Sequence, residues 1–447
     1  METYDILVIG AGPGGYPAAI RAAQLGASVA IVEREQLGGT CLNWGCIPTK
    51  ALIAGADTFA RIQHAGQFGI KITGATVDYA GLIAHKNKVV QQLRSGVGQL
   101  LAGNGVKVLT GQASFVDRNT LDVAGNRISA RTIIIATGST SVVPAFLPQS
   151  DRIVESRAFL DRTALPKTMI VMGGGYIGCE LACMAALLGV KVTIVELLDD
   201  ILLLLDPDVR REVRQHMETK LGITIRTGKP LETAEAEAAE LVLVSVGRKP
   251  VTDGLKLENA GVKTNNKGFV PVDDYGRTNV ANIYAIGDVN GRTQLAHNAT
   301  SQGIIAAENA LGHKLGKYES LVPGVIFTAP EVALVGLTEE DAKKTNRAVH
   351  TGKFRFGGLG KGIATGETTG FVKWIADAGT GQLLGAAAVG PHATELIAEA
   401  TLAIRSELTA AEVGRTIHAH PTFSEVWMEA AHAVHGTCIH APPKRRK

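Results

Sequence analysis

The sequence predicts an α/β chain that carries one βαβ nucleotide-binding design twice and closes with a smaller α+β domain. Three observations carry that reading. An apolar strand over residues 5–9 runs into Gly10-Ala11-Gly12-Pro13-Gly14-Gly15 and then an alanine-rich helical stretch. The same glycines, followed by the same terminal acid, recur at a fixed offset of 163 residues. From about residue 322 the pattern changes to short strands alternating with helices, with no third fingerprint. At 447 residues the chain is too long for one core and fits about three or four domains. The expected segments are 1–147, 148–266, 267–320 returning to the first, and 321–447.

In the first unit Gly10 makes the turn and Gly12 lets backbone approach a pyrophosphate. Gly14 shares that turn, and Gly15 permits close helix–strand packing, so the helix N-terminus faces the phosphates. Glu33 ends a second strand over 28–32, where an acid holds a ribose hydroxyl. Pro17 falls in the first helical turn, where N–H groups lack intrahelical partners. Residues 79–103 read as a helix, with strands at 106–109, 112–116 and 120–123. A buried strand over 132–136 closes in Thr137-Gly138, at the end where such sheets contact a ligand.

The second unit runs from a strand over 169–172 through Gly173-Gly174-Gly175-Tyr176-Ile177-Gly178, a helix, and a strand over 191–195 ending in Glu196. Two dinucleotide sites allow one tightly held cofactor and one exchangeable one. Glu196 favours a free 2′-hydroxyl and residues 197–205 contain no base, so the second site is expected to take NAD over NADP. Only a short Ala/Glu-rich segment separates strands near 223–226 and 241–246, and Gly247-Arg248 ends the latter as Thr137-Gly138 ends its own. Glu180, just inside the second helix, reads as a surface charge, the alternative being a group turned toward Lys50. Residues 280–286 form a strand ending in Gly287-Asp288. Asp288 either accepts from a cofactor hydroxyl or caps a helix over 295–311. Beyond 322, strands are expected at 325–328, 332–335, 371–375 and 383–388 and helices at 392–405 and 409–413, a domain suited to dimerisation.

Composition excludes several classes. A net charge of +3 without an internal basic block gives no case for nucleic acid, and Lys444-Arg445-Arg446-Lys447 reads as a solvated tail. No apolar run approaches the ~20 residues that span a bilayer. Five cysteines with no signal segment argue against an oxidised secreted scaffold, and the cytoplasm, or an organelle matrix, is the expected location.

Two stretches carry reactive groups. Cys41 and Cys46 stand in Gly38-Gly-Thr-Cys-Leu-Asn-Trp-Gly-Cys-Ile-Pro-Thr-Lys50. A helix starting near Cys46 would lower the pKa of its thiol, and Lys50 would share that helical face. The pair reads as a redox dithiol; a metal half-site or two small buried residues are the alternatives, and no further metal ligand is near. His418-Ala419-His420-Pro421-Thr422-Phe423-Ser424-Glu425 offers a histidine with a carboxylate five residues on, which can be an oriented base such as a dithiol enzyme needs, although two histidines by a proline turn more often form a structural pair or weak metal ligands. His432, His435 and His440 read as surface residues, and Cys179, Cys183 and Cys438 as small apolar fillers.

Over nearly its whole length, with both fingerprints, the thiol stretch, Ile286-Gly287-Asp288 and the His-Pro-Thr stretch, the chain resembles the pyridine nucleotide–disulfide oxidoreductases. The resemblance implies FAD in the first site, NAD in the second and a Cys41–Cys46 disulfide, with Cys46 nearest the flavin and Cys41 exchanging with substrate. It implies that His420 is the base, oriented by Glu425, both supplied by the partner in a homodimer. Lys50 would pair with Glu180 near the flavin, Asp288 would bind the ribityl chain, and Tyr176 would cover the nicotinamide pocket. Gly39, Thr40, Ala113, Thr137, Gly138, Ile177, Gly247 and Ala296 join the cofactor-binding set on the same ground. The branch it resembles most oxidises protein-bound dihydrolipoamide on the lipoyl domains of 2-oxoacid dehydrogenase complexes, without metal, membrane or nucleic acid. An NADPH-dependent glutathione-type reductase and a non-catalytic flavoprotein assembly subunit are the competing readings. The short 226–241 segment, Pro17 and Trp44 depart from the family pattern.

Overall fold

A computed structural model describes residues 2–313 and 315–441, so the basic run at 444–447 lies outside the described residues. The chain forms two compact units: residues up to 165 with Val244–Ser320, and Pro166–Leu243 with residues from 321 onward.

The first unit is built on a seven-stranded sheet. Strand β1 (Glu2–Ile9) lies between β2 (Val29–Glu33) and Asn126–Ile135, parallel to both. Lys107–Thr110 extends the β2 edge in parallel, and Ile283–Ala285 pairs parallel with Asn126–Ile135. Ile6, Leu7 and Val8 are fully buried, as expected of a parallel strand covered on both faces. Helix α1 (Gly15–Gln24) follows β1. Helices α2 (Gly39–Trp44) and α3 (Cys46–Gln63) carry the thiols, and α4 (Tyr79–Gly103) starts at Asp78, whose carboxylate accepts from Gly81 N–H at 3.1 Å. The strand expected over 280–286 is only Ile283–Ala285, because a turn closed by Ile283 N–H on Val280 O occupies its start and a 3₁₀ turn over Gly287–Asn290 follows its end.

In the second unit Thr224–Thr227, Lys191–Glu196, Thr168–Met172 and Val242–Val244 lie side by side in that order. The Ala/Glu-rich segment contains a short helix, Thr233–Ala238. The C-terminal part is a five-stranded antiparallel sheet ordered Gly324–Ile326, Val332–Gly336, Leu383–Val389, Phe371–Asp377 and Val349–Arg355. Strand Val349–Arg355 and helix Glu425–Val434 were not among the expected elements. The helix is seated by two buried indoles. Trp374 Nε1 donates to Trp427 O at 3.0 Å, and Trp427 Nε1 donates to Leu396 O at 2.9 Å, with the rings 4.6 Å apart. Gly352 lets the helix backbone lie directly on the strand, since a Cβ there would collide with Ala430 O.

One buried charge cluster ties the two parts of this unit. Lys373 is 0% exposed, and its ammonium bonds Asp206 at 2.7 Å, Asp208 at 2.9 Å and Glu339 at 2.8 Å. The three carboxylate oxygens lie close enough to hold a cation, and the cation they hold is this side chain. Burial pushes the Asp208 carboxyl up, but hydrogen bonds from Lys353 and Lys373 outweigh it and hold the group below its ordinary value. A carboxyl so depressed adds stability above the unfolded-state range, and that stability is lost as pH falls through the folded value. Lys373→Met should cost about 3–5 kcal/mol at neutral pH, because it leaves the buried Asp206 carboxylate without its cation. Chemical denaturation should show the gap between variant and wild type narrowing as pH falls below the ordinary aspartate value of 3.8.

Candidate active site

The two fingerprint turns are the same object built twice. Gly10 (φ +99°) and Gly173 (φ +107°) take the left-handed conformation that side chains avoid. Gly10 N–H donates to Val32 O at 2.8 Å, and Gly173 N–H to Val195 O at 2.9 Å. A Cβ on Gly15 would strike Gly10 O, and one on Gly178 would strike Gly173 O, so each helix packs on its turn by backbone alone. Glu33 accepts from Ala11 N–H at 2.9 Å and Glu35 N–H at 2.8 Å. Glu196 accepts from Gly174 N–H at 2.6 Å and Leu198 N–H at 2.9 Å, the same contacts at the same offset. Gly14 and Gly175 sit at the helix N-caps, and neither helix has a side-chain cap. The N-terminal ends of both helices therefore present backbone N–H groups without side-chain caps, although in the first helix Tyr16 N–H already donates to Gly12 O at 3.2 Å and Pro17 carries no N–H. A Cβ on Gly175 would meet nothing within 4 Å, and one on Gly12 would meet only Gly39 Cα at 3.8 Å. Both turns fit a pyrophosphate.

The thiols sit against the first turn. Cys41 and Cys46 form a disulfide with Cα atoms 4.6 Å apart, which excludes the metal half-site and buried-filler readings of the pair. Gly39 (φ +59°) allows the close approach, since a Cβ there would come within 2.6 Å of Gly12 Cα. Thr40 follows it on α2. Cys46 opens α3, so its sulfur belongs to the positive end of a helix of 18 residues, and Lys50 lies one turn further on. Trp44, unusual beside the family pattern, stacks 3.8 Å from the Arg157 guanidinium, which bonds Glu35 at 3.0 Å.

Asp288 is not a cap of the following helix, whose N-cap is Leu295 and which starts at Ala296. Its carboxylate accepts from Ser139 Oγ, and Arg248 donates to Ser139 Oγ and O at 2.7 Å each. Burial lowers the Arg248 pKa, opposed by Asp288 and Glu155. The strand ends at Thr137-Gly138 and Gly247-Arg248 are joined by this knot, because Ser139–Ser141 pairs antiparallel with Arg248–Pro250. Thr137 Oγ1 also donates to Val251 O at 2.7 Å. Ser139 and Arg248 escaped the sequence reading, and no spacing rule links positions so far apart. Ala113 lies buried on the strand Ala113–Phe115.

In the second unit His420 and Glu425 meet: Nδ1 lies 2.9 Å from Oε1, while Oε2 accepts from Thr422 N–H at 2.8 Å. The His420 side chain is 74% exposed, and Nε2 has no partner among the described residues. This is an oriented imidazole with an open nitrogen, which favours the base reading over a purely structural pair. Tyr176 opens the second fingerprint helix with its phenol pKa raised by burial, and Ile177 beside it is partly exposed. Two expectations need correction. Glu180 is no surface charge: it is buried and accepts from Phe327 N–H at 2.8 Å. Cys438 is no apolar filler: it and the exposed His440 both bond the buried Glu429, at 3.0 and 2.6 Å, and burial with that bond pushes the Cys438 thiol up to about 11.

A disulfide seated on a dinucleotide turn, in a chain that repeats the turn, defines a nucleotide-dependent disulfide oxidoreductase. The chain belongs to the pyridine nucleotide-disulphide oxidoreductase family, matched over residues 4–303, with that family's dimerisation domain at 322–431. FAD and NAD are its cofactors. A dihydrolipoyl dehydrogenase of Chlamydia pneumoniae is 44% identical, covering 99% of both chains, and one of Thermus scotoductus is 43% identical over 98% of this chain and 99% of its own. Among solved structures, a HOCl-induced flavoprotein disulfide reductase of Escherichia coli superposes with a TM-score of 0.87 at 29% identity, covering 96% of this chain and 99% of that one. LpdA of Mycobacterium tuberculosis gives 0.88 at 26%, covering 97% and 99%. The dimerisation domain supports a homodimer. No helix among the described residues is long and apolar enough to cross a membrane.

Gly12→Ala and Gly15→Ala should fail differently. Gly12→Ala should keep its melting temperature as apoprotein yet bind flavin at least tenfold more weakly, measured by fluorescence titration. Gly15→Ala should lower the apoprotein melting temperature itself.

Proposed function

We propose that this chain oxidises protein-bound dihydrolipoamide to lipoamide and reduces NAD, as the flavoprotein component of a 2-oxoacid dehydrogenase complex. The observation that carries the reading is the Cys41–Cys46 disulfide packed on the first nucleotide turn through Gly39 and Gly12. The whole-length likeness to dihydrolipoyl dehydrogenases supports the substrate.

Segments 1–147 and 267–320 hold FAD in this reading, through Gly10, Gly12, Gly14, Gly15, Glu33, Thr137, Gly138 and Asp288. Segment 148–266 holds NAD through Gly173, Gly175, Gly178 and Glu196, and 321–447 makes the dimer. His420, supplied by the partner subunit, takes the proton of a substrate thiol at Nε2, while Glu425 fixes the tautomer from Nδ1. The substrate thiolate attacks Cys41 Sγ, the Cys41–Cys46 bond breaks, and Cys46 leaves as a thiolate favoured by the α3 N-terminus. The second substrate thiol then attacks the substrate sulfur of the mixed disulfide, giving up its proton to His420 as the first proton passes from His420 to the departing Cys41 sulfur. Lipoamide leaves, with Cys41 a thiol, Cys46 a thiolate and His420 protonated. FAD held at the first turn would supply the acceptor for the electron pair of the dithiol, with NAD at the second turn as the final acceptor.

NADH formation from dihydrolipoamide, free and on a lipoyl domain, tests the reading. Reduction of glutathione disulfide by NADPH, with no such activity, would overturn it. Cys46→Ser should abolish turnover, and His420→Gln should lower kcat/KM by roughly 10²–10⁴-fold. Glu425→Gln should cost less, since the imidazole remains but loses the carboxylate that orients it at Nδ1.

A further inference from the structure

His418, two residues before the proposed base, has a side chain only 5% exposed. Its Nδ1 lies 2.9 Å from Thr416 O, and its Nε2 lies 2.8 Å from Glu399 Oε1 on helix Ala393–Arg405. A carbonyl oxygen only accepts, so Nδ1 must carry hydrogen. A neutral ring of that tautomer would turn a lone pair toward the Glu399 carboxylate. Both contacts hold together when both nitrogens carry hydrogen. His420 differs, because one carboxylate holds Nδ1 and Nε2 stays open.

We infer that His418 is a fixed imidazolium, the internal counter-ion of Glu399, and a positioning residue that keeps Glu399 from raising the proton affinity of His420. The inference rests on the base role proposed for His420. The Glu399 hydrogen bond raises the His418 pKa against the opposing effect of burial, with Thr416 O and Glu425 adding to it. The charged groups in contact with the two rings are Glu399 and Glu425, the latter at the start of its helix. Lys361 follows Gly360, where a Cβ would lie 4.0 Å from His420 Cε1. Arg415, closing helix Ala410–Arg415, is exposed. With His418 charged, the Glu399–His418 pair is neutral and the base responds mainly to Glu425. Removing the imidazole alone leaves an uncompensated carboxylate close to the base segment, which favours protonated His420.

The test is the acid limb of the kcat/KM profile for dihydrolipoamide oxidation by the FAD-loaded dimer. His418→Gln should move it up by about half a pH unit, a threefold loss below the limb, as expected for one charge screened near a surface. The double variant H418Q/E399Q should return the limb to the wild-type position, and this restoration separates charge balance from packing. A limb that stays at the wild-type pH in H418Q, or stays raised in the double variant, overturns the inference. ¹⁵N NMR of histidine-labelled protein reads the His418 ring without turnover. Two protonated nitrogens at neutral pH support the inference, and a neutral ring overturns it. If wild type forms no NADH from dihydrolipoamide, the proposed function falls, and NMR alone decides the charge of His418.

Discussion

The chemistry of the first unit depends on two backbones touching where neither has a side chain. Gly39 rests on Gly12 so closely that a Cβ on Gly39 would come within 2.6 Å of Gly12 Cα. That contact sets the start of α2 against the nucleotide turn, and the disulfide follows within the next seven residues of chain. A dithiol that exchanges electrons with a bound cofactor has to be held close to it in a reproducible geometry. Backbone contact is the stiffest means a protein has, since no rotamer intervenes.

The nucleotide turns were legible in the sequence because their requirements admit so few residues. A position with φ near +100°, or one packed on a carbonyl, takes glycine, so the pattern survives as text and its repetition can be read by offset. The hydrogen bonds follow that repetition: Glu33 to Ala11 and Glu35, Glu196 to Gly174 and Leu198. The knot of Ser139, Arg248 and Asp288 left no such trace. It joins ordinary polar residues from segments that meet only once the chain is folded.

The C-terminal domain was legible in its apolar strands and obscure where polar groups are buried. Val349–Arg355 is an edge strand with Lys353, Arg355 and Gly352, so period-two alternation is weak. Helix Glu425–Val434 follows directly on the His-Pro-Thr stretch, and no expected element covered it. Missing that helix hid Glu429, and with it the reason Cys438 and His440 are placed as they are. The His420–Glu425 pair could be proposed from spacing. What spacing cannot supply is the pair of indole hydrogen bonds and the Gly352 contact that hold the helix, and so Glu425, in place.

Glu196 has one further consequence, for how such a protein could change its cofactor. The carboxylate expected to discriminate against a 2′-phosphate is also tied to Gly174 and Leu198 N–H, across the turn it serves. Replacing it with a smaller or basic residue would remove a repelling charge and untie two backbone groups of the nucleotide loop in the same step. Selectivity and loop integrity are therefore inherited together. A lineage drifting toward NADP would need a second substitution to re-tie the loop, and single-step mutants should tend to lose the old nucleotide before they gain the new one.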